Sequence, residues 1–211
     1  MGGTGGARAP RGRPRSERAR SAVLAAAAEL LASGGARAVT MEAIAARARV
    51  SKSTVYKWWP TRGDVLLDSL ASVAGGAPAD PGGEAAGAPL ADALTAQVGA
   101  LVRAVRDTPA GRLVAGLVAA AQTDPGIRTA LDERWVRPRR AACARLLHDA
   151  VARGELRPGT DVAAAVDQLF APVYHRLLLG HRPLADDLAA TLVRQLLDGL
   201  RDRRGRPDRD R

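Results

Sequence analysis

Three times between Val39 and Val65 the chain repeats one local device. An apolar residue stands just before a hydroxyl residue, and a second apolar residue follows four places later: Val39-Thr40 with Ile44, Val50-Ser51 with Val55, and Pro60-Thr61 with Val65. The hydroxyl can accept from a backbone N–H in the first turn of a helix, and the apolar pair can close over it as a hydrophobic staple. Asp64 stands where the acid of a capping box belongs. A staple fixes the angle at which the chain enters a helix, so three in succession predict short helices set at defined angles.

The rest of the chain reads the same way. Only 3% of its residues are aromatic against 46% hydrophobic, so the core is built from Leu, Val and Ala. Ala is the best helix former, and no strand pattern or internal repeat competes with it. An all-α fold is expected. Residues 1–15 form a Gly-, Pro- and Arg-rich arm expected to be disordered. Residues 16–71 carry a first helix capped by Ser16, with Val23, Ala26, Ala27 and Leu30 on one face and a stop at Gly34-Gly35, and then the three stapled helices. Residues 72–89 are a Gly/Ala/Pro-rich flexible linker. Residues 90–203 form a larger helical domain, and 204–211 a disordered tail. In that domain a helix with Leu90, Leu94, Val98, Leu101, Val102 and Val105 stops before Thr108-Pro109, and a short helix covers about Gly111 to Gln122. A third is capped by Asp124, breaks or kinks at Pro138 and ends at Gly154. Asp161 caps a long helix to about Leu179 that Pro172 should kink, and a last helix runs from about Ala185 to Arg203.

The formal charge of +10 is unevenly spread. Residues 1–71 carry a net +7, residues 72–200 are neutral, and residues 201–211 carry +3. A local basic excess is the footprint expected for a polyanion such as DNA, although a merely soluble basic protein shows it too. One cysteine, Cys143, excludes an internal disulfide framework and reads as a buried small residue. No Cys/His cluster has metal-ligand spacing, and no apolar run approaches the roughly 18 residues of a membrane helix. The basic N-terminus leads into an amphipathic pattern, not a signal-peptide core. A cytoplasmic protein with no membrane association, no metal and no cofactor is expected.

Thr40 to Trp59 has the anatomy of a helix-turn-helix, with a tight turn at Arg49-Val50. The second helix of such a motif lies in the major groove, and here it offers Lys52, Ser53, Tyr56 and Lys57 on the face away from Val55 and Trp59. At these residues the chain resembles the TetR/AcrR family of bacterial transcriptional regulators. The match runs from Val23 to Leu70 and is strongest in TMEAIA and VSKSTVYKWWPTR. LVAAAQTDP, RPRRAA, AVARGEL and YHRLLLGHRPL further resemble the C-terminal ligand-binding and dimerisation domain of actinobacterial members.

The resemblance implies a role for each matching residue. Thr40 would bond a DNA phosphate at a helix N-terminus, and Lys52, Ser53 and Tyr56 would face the bases. Thr54 and Lys57 would touch the sugar-phosphate backbone, which Trp58 would also reach. Arg62, where the family usually has Lys, would bind a phosphate. The chain departs from the pattern at Arg49, where the turn usually has Gly. Either the turn tolerates a strain of about 1 kcal/mol or its geometry differs; the side chain is either an exposed arginine or a phosphate contact. Arg13 and Arg15, within PRGRPR, resemble an AT-hook core. They would either enter the minor groove of A·T-rich DNA or add only screened attraction.

The family further implies a largely apolar cavity between about Leu90 and Leu179 for a small-molecule effector. Gln122, Trp135, Gln168, Phe170, Tyr174 and His175 are candidates for its lining, each open to ordinary core or surface placement instead. Leu188, Leu192, Leu196 and Leu200 form a stripe that fits either a homodimer interface or packing within one chain. The expected function is a regulator, most readily a repressor, that binds a palindromic double-stranded operator as a dimer and is released by its effector. A non-specific nucleoid-type DNA binder is the alternative. No catalytic constellation supports an enzyme.

Overall fold

A computed structural model describes residues 13–74 and 87–201. Most of the expected arm, the linker's 75–86 and the tail lie outside the described residues, as do the side chains of Arg13 and Arg15. The first helix, α1 (Arg13–Ala38), begins three residues before the expected cap at Ser16. The backbone of Arg13–Arg15 is therefore helical, so the helix takes in the last three residues of the arm expected to be disordered. Proline is compatible with a first helical turn, where an N–H has no partner to lose. Gly35, with φ 64° and ψ −168°, breaks α1 where a stop was expected.

A helix forms at each of the three hydroxyl caps, as predicted, although Pro60, the outer partner of the third staple, is exposed. Thr40 caps α2 (Met41–Ala48), Ser51 caps α3 (Lys52–Trp58) and Thr61 caps α4 (Arg62–Val73). Each hydroxyl accepts from the backbone N–H three residues on, and Asp64 returns the bond to the Thr61 N–H in a full capping box. Val39, Ile44, Val55 and Val65 are completely buried beneath them. Leu31, on α1, is buried more deeply than the expected Leu30.

The turn between α2 and α3 keeps its geometry despite lacking glycine. Arg49 adopts φ 55° and ψ 42°, and its N–H closes onto the α2 carbonyls. It is the only non-glycine residue with positive φ among the described residues. We expect Arg49→Gly to raise stability by about 0.5–1 kcal/mol, the relieved αL strain less the added freedom of the unfolded chain. Arg49→Val should lower it, because a β-branched residue tolerates αL least. Chemical denaturation of the three proteins orders them.

The second part consists of α5 (Leu90–Asp107), α6 (Ala110–Ala121), α7 (Pro125–Leu131), a π-helical turn (Asp132–Val136), α8 (Arg137–Ala152), α9 (Val162–Leu179) and α10 (Leu188–Leu200). Asp124 and Asp161 cap α7 and α9 through the N–H groups of Ile127 and Ala164. The irregularity expected at Pro138 takes the form of the π turn just before it. Proline has no N–H to donate and its ring crowds the preceding turn, and widening that turn relieves the clash. The last helix ends at Leu200, three residues short of expectation, and Arg201 forms an isolated bridge with Leu156.

The two parts share one core. Leu31 of α1 seats on Gly116 of α6, where a Cβ would meet the leucine at 3.0 Å. Gly63 of α4 lies against Gly126 and Ala130 of α7. Cys143 is buried as expected, and burial pushes its thiol up to about 12. No helix among the described residues is long and apolar enough to cross a membrane.

Candidate nucleic-acid interface

α3 is seven residues long and two-faced. Val55 anchors it in the core, and Trp59 behind it is also buried. The Trp59 Nε1 donates to Asp68 Oδ2 at 2.8 Å. Burial alone would raise the Asp68 carboxyl, but the bonds from Trp59, Arg134 and Arg20 outweigh it and hold the group below the usual carboxylate range. Asp68 thus joins α1, the end of α3, α4 and the π turn.

The other face of α3 is presented to solvent. Lys52, Ser53 and Lys57 are exposed, and Tyr56 is 45% exposed, high for a large aromatic side chain. Thr54 is half-buried and its hydroxyl shares a hydrogen bond with Ser51. Ser51 also bonds Ser53, so three hydroxyls cluster at the start of the helix. Trp58 is half-buried and meets Trp59 edge-on with centroids 5.5 Å apart. Thr40, at the start of α2, is exposed on the same helix-turn-helix. Sequence reasoning missed Glu42, whose carboxylate pairs with Lys52. That hydrogen bond holds the Glu42 carboxyl down and the Lys52 ammonium up. The spacing from Glu42 to Lys52 crosses the turn, so no single-helix periodicity reveals it.

Arg62 has partners within the protein. It is half-buried and turned inward, with Nη1 donating to the Val39 carbonyl at 3.2 Å and Nη2 to Asp124 Oδ2 at 2.5 Å. The Ile127 N–H first, and then Arg62, hold the Asp124 carboxyl below its ordinary range. The guanidinium that the family pattern assigns to phosphate ties α4 to the cap of α7 in this structure. A guanidinium reaches farther than an ammonium and forks, which suits it to bridging a carbonyl and a carboxylate.

α6, the π turn, α8 and α9 enclose a partly open cavity of about 400 Å³. Val118, Val136, Arg139, Arg140, Asp167, Phe170, Ala171, Tyr174 and Leu178 line it. Of the expected lining residues, Phe170 and Tyr174 are present. Trp135 stands behind the wall, buried, with its Nε1 donating to the Tyr174 hydroxyl at 3.1 Å. Gln122, Gln168 and His175 are exposed and do not line it. Gln122 folds back on the Val118 carbonyl, and His175 stacks against His181 with centroids 4.5 Å apart. Arg139 escaped sequence reasoning, although it stands midway between Trp135 and Cys143 at four-residue spacing on the buried face of α8.

Part of the leucine stripe of α10 packs within the chain, one of the two placements it fits. Leu188 and Leu196 are buried within the protomer, where α10 packs on α5, while Leu192 and Leu200 are half-buried. A stripe of four-residue spacing drifts around a helix with 3.6 residues per turn, so its members reach different surroundings. The exposed leucines are Leu178 and Leu179, at 44% and 65%.

The comparisons agree with this geometry. The family described as "Bacterial regulatory proteins, tetR family" matches residues 23–68, and that described as "Tetracyclin repressor-like, C-terminal domain" matches residues 87–196. The HTH-type transcriptional regulator YdeS of Bacillus subtilis is 34% identical over 190 residues, 90% of this chain and 93% of its own. The DNA-binding transcriptional repressor TetR of Mycobacteroides abscessus is 30% identical over 186 residues, 87% of this chain and 94% of its own. The crystal structure of the TetR family transcription regulator SCO0332 is 38% identical with a TM-score of 0.65, covering 88% of this chain and 100% of that one. With both family descriptions matched, the second over more than half of the chain, and relatives at 30% identity or more along nearly their whole length, the chain belongs to the TetR family of DNA-binding transcriptional regulators.

Proposed function

We propose that the protein is a repressor that binds a palindromic operator as a homodimer and is released when a small molecule fills the cavity. The observation that carries the DNA half is the outer face of α3, where Tyr56 and Lys57 are exposed on a helix whose other face is locked in the core. A helix held this rigidly can place side chains on base edges without losing much freedom on binding. Lys52, Ser53 and Tyr56 read bases; Thr40, Thr54, Lys57 and Trp58 hold the backbone. Arg13 and Arg15, at the head of α1, add attraction or enter the minor groove. A second copy seats on α9 and α10, which the exposed Leu178 and Leu179 and the half-buried Leu192 and Leu200 support.

The π turn supports a route from cavity to DNA. Trp135 faces the cavity wall through Tyr174, while its neighbour Arg134 pairs with Asp68 and donates to the Asp64 carbonyl at 3.3 Å. α4 follows directly on α3, so a ligand that shifts Tyr174 shifts the pair and with it the reading helix. A ligand does this only by binding the released conformer more tightly than the operator-bound one.

The test is a footprint of the purified protein on the palindrome nearest its own gene, in excess competitor DNA. Protection confined to that site, lost on adding an effector, supports the reading. Protection without sequence choice marks a nucleoid-type binder, and an effector that tightens binding overturns release.

A further inference from the structure

We propose that the cavity takes an apolar molecule bearing a single anionic group, with Arg139 as its counter-ion; this rests on reading the cavity as the effector site and names the effector's chemical class. Arg139 is only 7% exposed, one of two polar or charged residues buried among the described residues. Burying a guanidinium without a counter-ion is costly, and proteins tolerate it where pairing or function compensates. No carboxylate of the described residues pairs with Arg139. Its Nη1 donates to the Trp135 carbonyl at 2.8 Å, and its Cζ lies 3.5 Å from the centre of the Trp135 ring. Those contacts fix the orientation of the fork but leave its charge unmatched. Nε and Nη2 have no acceptor among the described residues, yet neither is a sealed, orphaned donor.

The remaining lining does not supply the missing charge. Asp167, the only acid there, is bound to Arg140, so the pair is neutral and the cavity retains the charge of Arg139 alone. Phe170 and its apolar neighbours make up the rest, and the Tyr174 hydroxyl adds one polar group. A cation is repelled from such a site. A neutral molecule buries apolar surface but leaves the guanidinium unmatched. A carboxylate, sulfonate or phosphate group gains charge-assisted bonds from a fork already held in place, while its apolar body fills a space of about 400 Å³. Burial also lowers the Arg139 pKa, as expected for a cation without a partner anion.

The probes are hexanoate, decanoate, tetradecanoate and phenylacetate, each with its alcohol and amine counterpart, titrated calorimetrically into the full chain. In at least one set the carboxylate is expected to bind about tenfold or more tightly than the alcohol, and the amine more weakly than both. Arg139→Met should bring carboxylate affinity down to that of the alcohol while leaving alcohol affinity within about threefold. Arg139→Lys, which keeps the charge but not the fork, should retain the preference at lower affinity. A circular-dichroism melt confirms that each variant is folded, and the lysine variant carries the test if the methionine variant is not. The proposal is overturned if no carboxylate binds, if the alcohol or amine binds as tightly as the acid, or if Arg139→Met keeps the preference. Operator release, read in the same samples, separates this outcome from the broader reading. Release by a neutral or cationic probe keeps the cavity as effector site and rejects the anion. Binding of the acid through Arg139 without release keeps the anion site and rejects its regulatory role.

Discussion

Tyr56→Ala is expected to weaken operator binding by about a thousandfold while changing folding stability by no more than about 0.5 kcal/mol. The binding loss follows from the exposure of Tyr56 on a helix whose opposite face is immobile. An aromatic anchor at the centre of an interface costs about 2 kcal/mol or more on truncation. A dimer on a palindrome loses it twice, which gives about 4 kcal/mol, or close to three decades in Kd. Stability is spared because the ring is 45% exposed and its recorded contact is the Lys52 ammonium 5.7 Å from its centre. Fluorescence anisotropy on the operator and a thermal melt measure the two halves. Lys57→Ala provides the contrast. As a backbone contact it should weaken operator and random duplex alike and reduce the salt slope by about one per subunit. If Tyr56→Ala behaved in that uniform way, Tyr56 would be a backbone contact and the base-reading face would lie elsewhere on α3.

The parts of the molecule that were legible in its sequence are those whose causes are local. Each staple needs only a few consecutive residues, so Thr40, Ser51 and Thr61 announce their helices without reference to anything distant. Asp124-Pro125 and Asp161 do the same for α7 and α9. Errors arise where the deciding partner is remote. The neighbours of Arg62 are those of a DNA-binding helix and point to phosphate, while its carboxylate partner Asp124, 62 positions away, leaves no local trace. Gln122, Gln168 and His175 were polar residues near the expected cavity, and polarity alone could not say which way they faced. Arg139 is hard to see for the opposite reason. In an arginine-rich chain its residue type carries little information, and only its place between Trp135 and Cys143 on a buried face distinguishes it from Arg137 and Arg140. The four-residue spacing of the α10 leucines locates a helix but is too coarse to separate Leu196 from the half-buried Leu192.

Gly111→Ala should destabilise the protein by about 3 kcal/mol or more, lowering Tm by about 10 °C, because a methyl group there has no space on any side that could yield cheaply. α5 and α6 are joined across Thr108 and Pro109 alone, and the Thr108 hydroxyl bridges the Ala104 carbonyl and the Ala110 N–H. A Cβ on Gly111 would lie 2.1 Å from the Val105 carbonyl oxygen and 3.3 Å from Leu177 Cδ1. A side chain can rotate away from such a contact, whereas a backbone carbonyl in the last turn of α5 moves only if the helix does. The start of α6 would then be pushed from α5, and α6 also carries Gly116, the seat of Leu31, and Val118 in the cavity wall. The damage should therefore reach the seam between the two parts. Gly99→Ala is the matched control. A Cβ there meets Arg103 Nη1 at 3.1 Å and Ala189 Cβ at 3.8 Å, and the first is the free end of an exposed side chain. With the clash avoidable, the gain in helix propensity should leave Gly99→Ala neutral or up to about 1 kcal/mol more stable. Thermal melts of the two variants side by side test the packing argument, and equal shifts would show that the tightness of the α5–α6 turn is not what selects glycine at position 111.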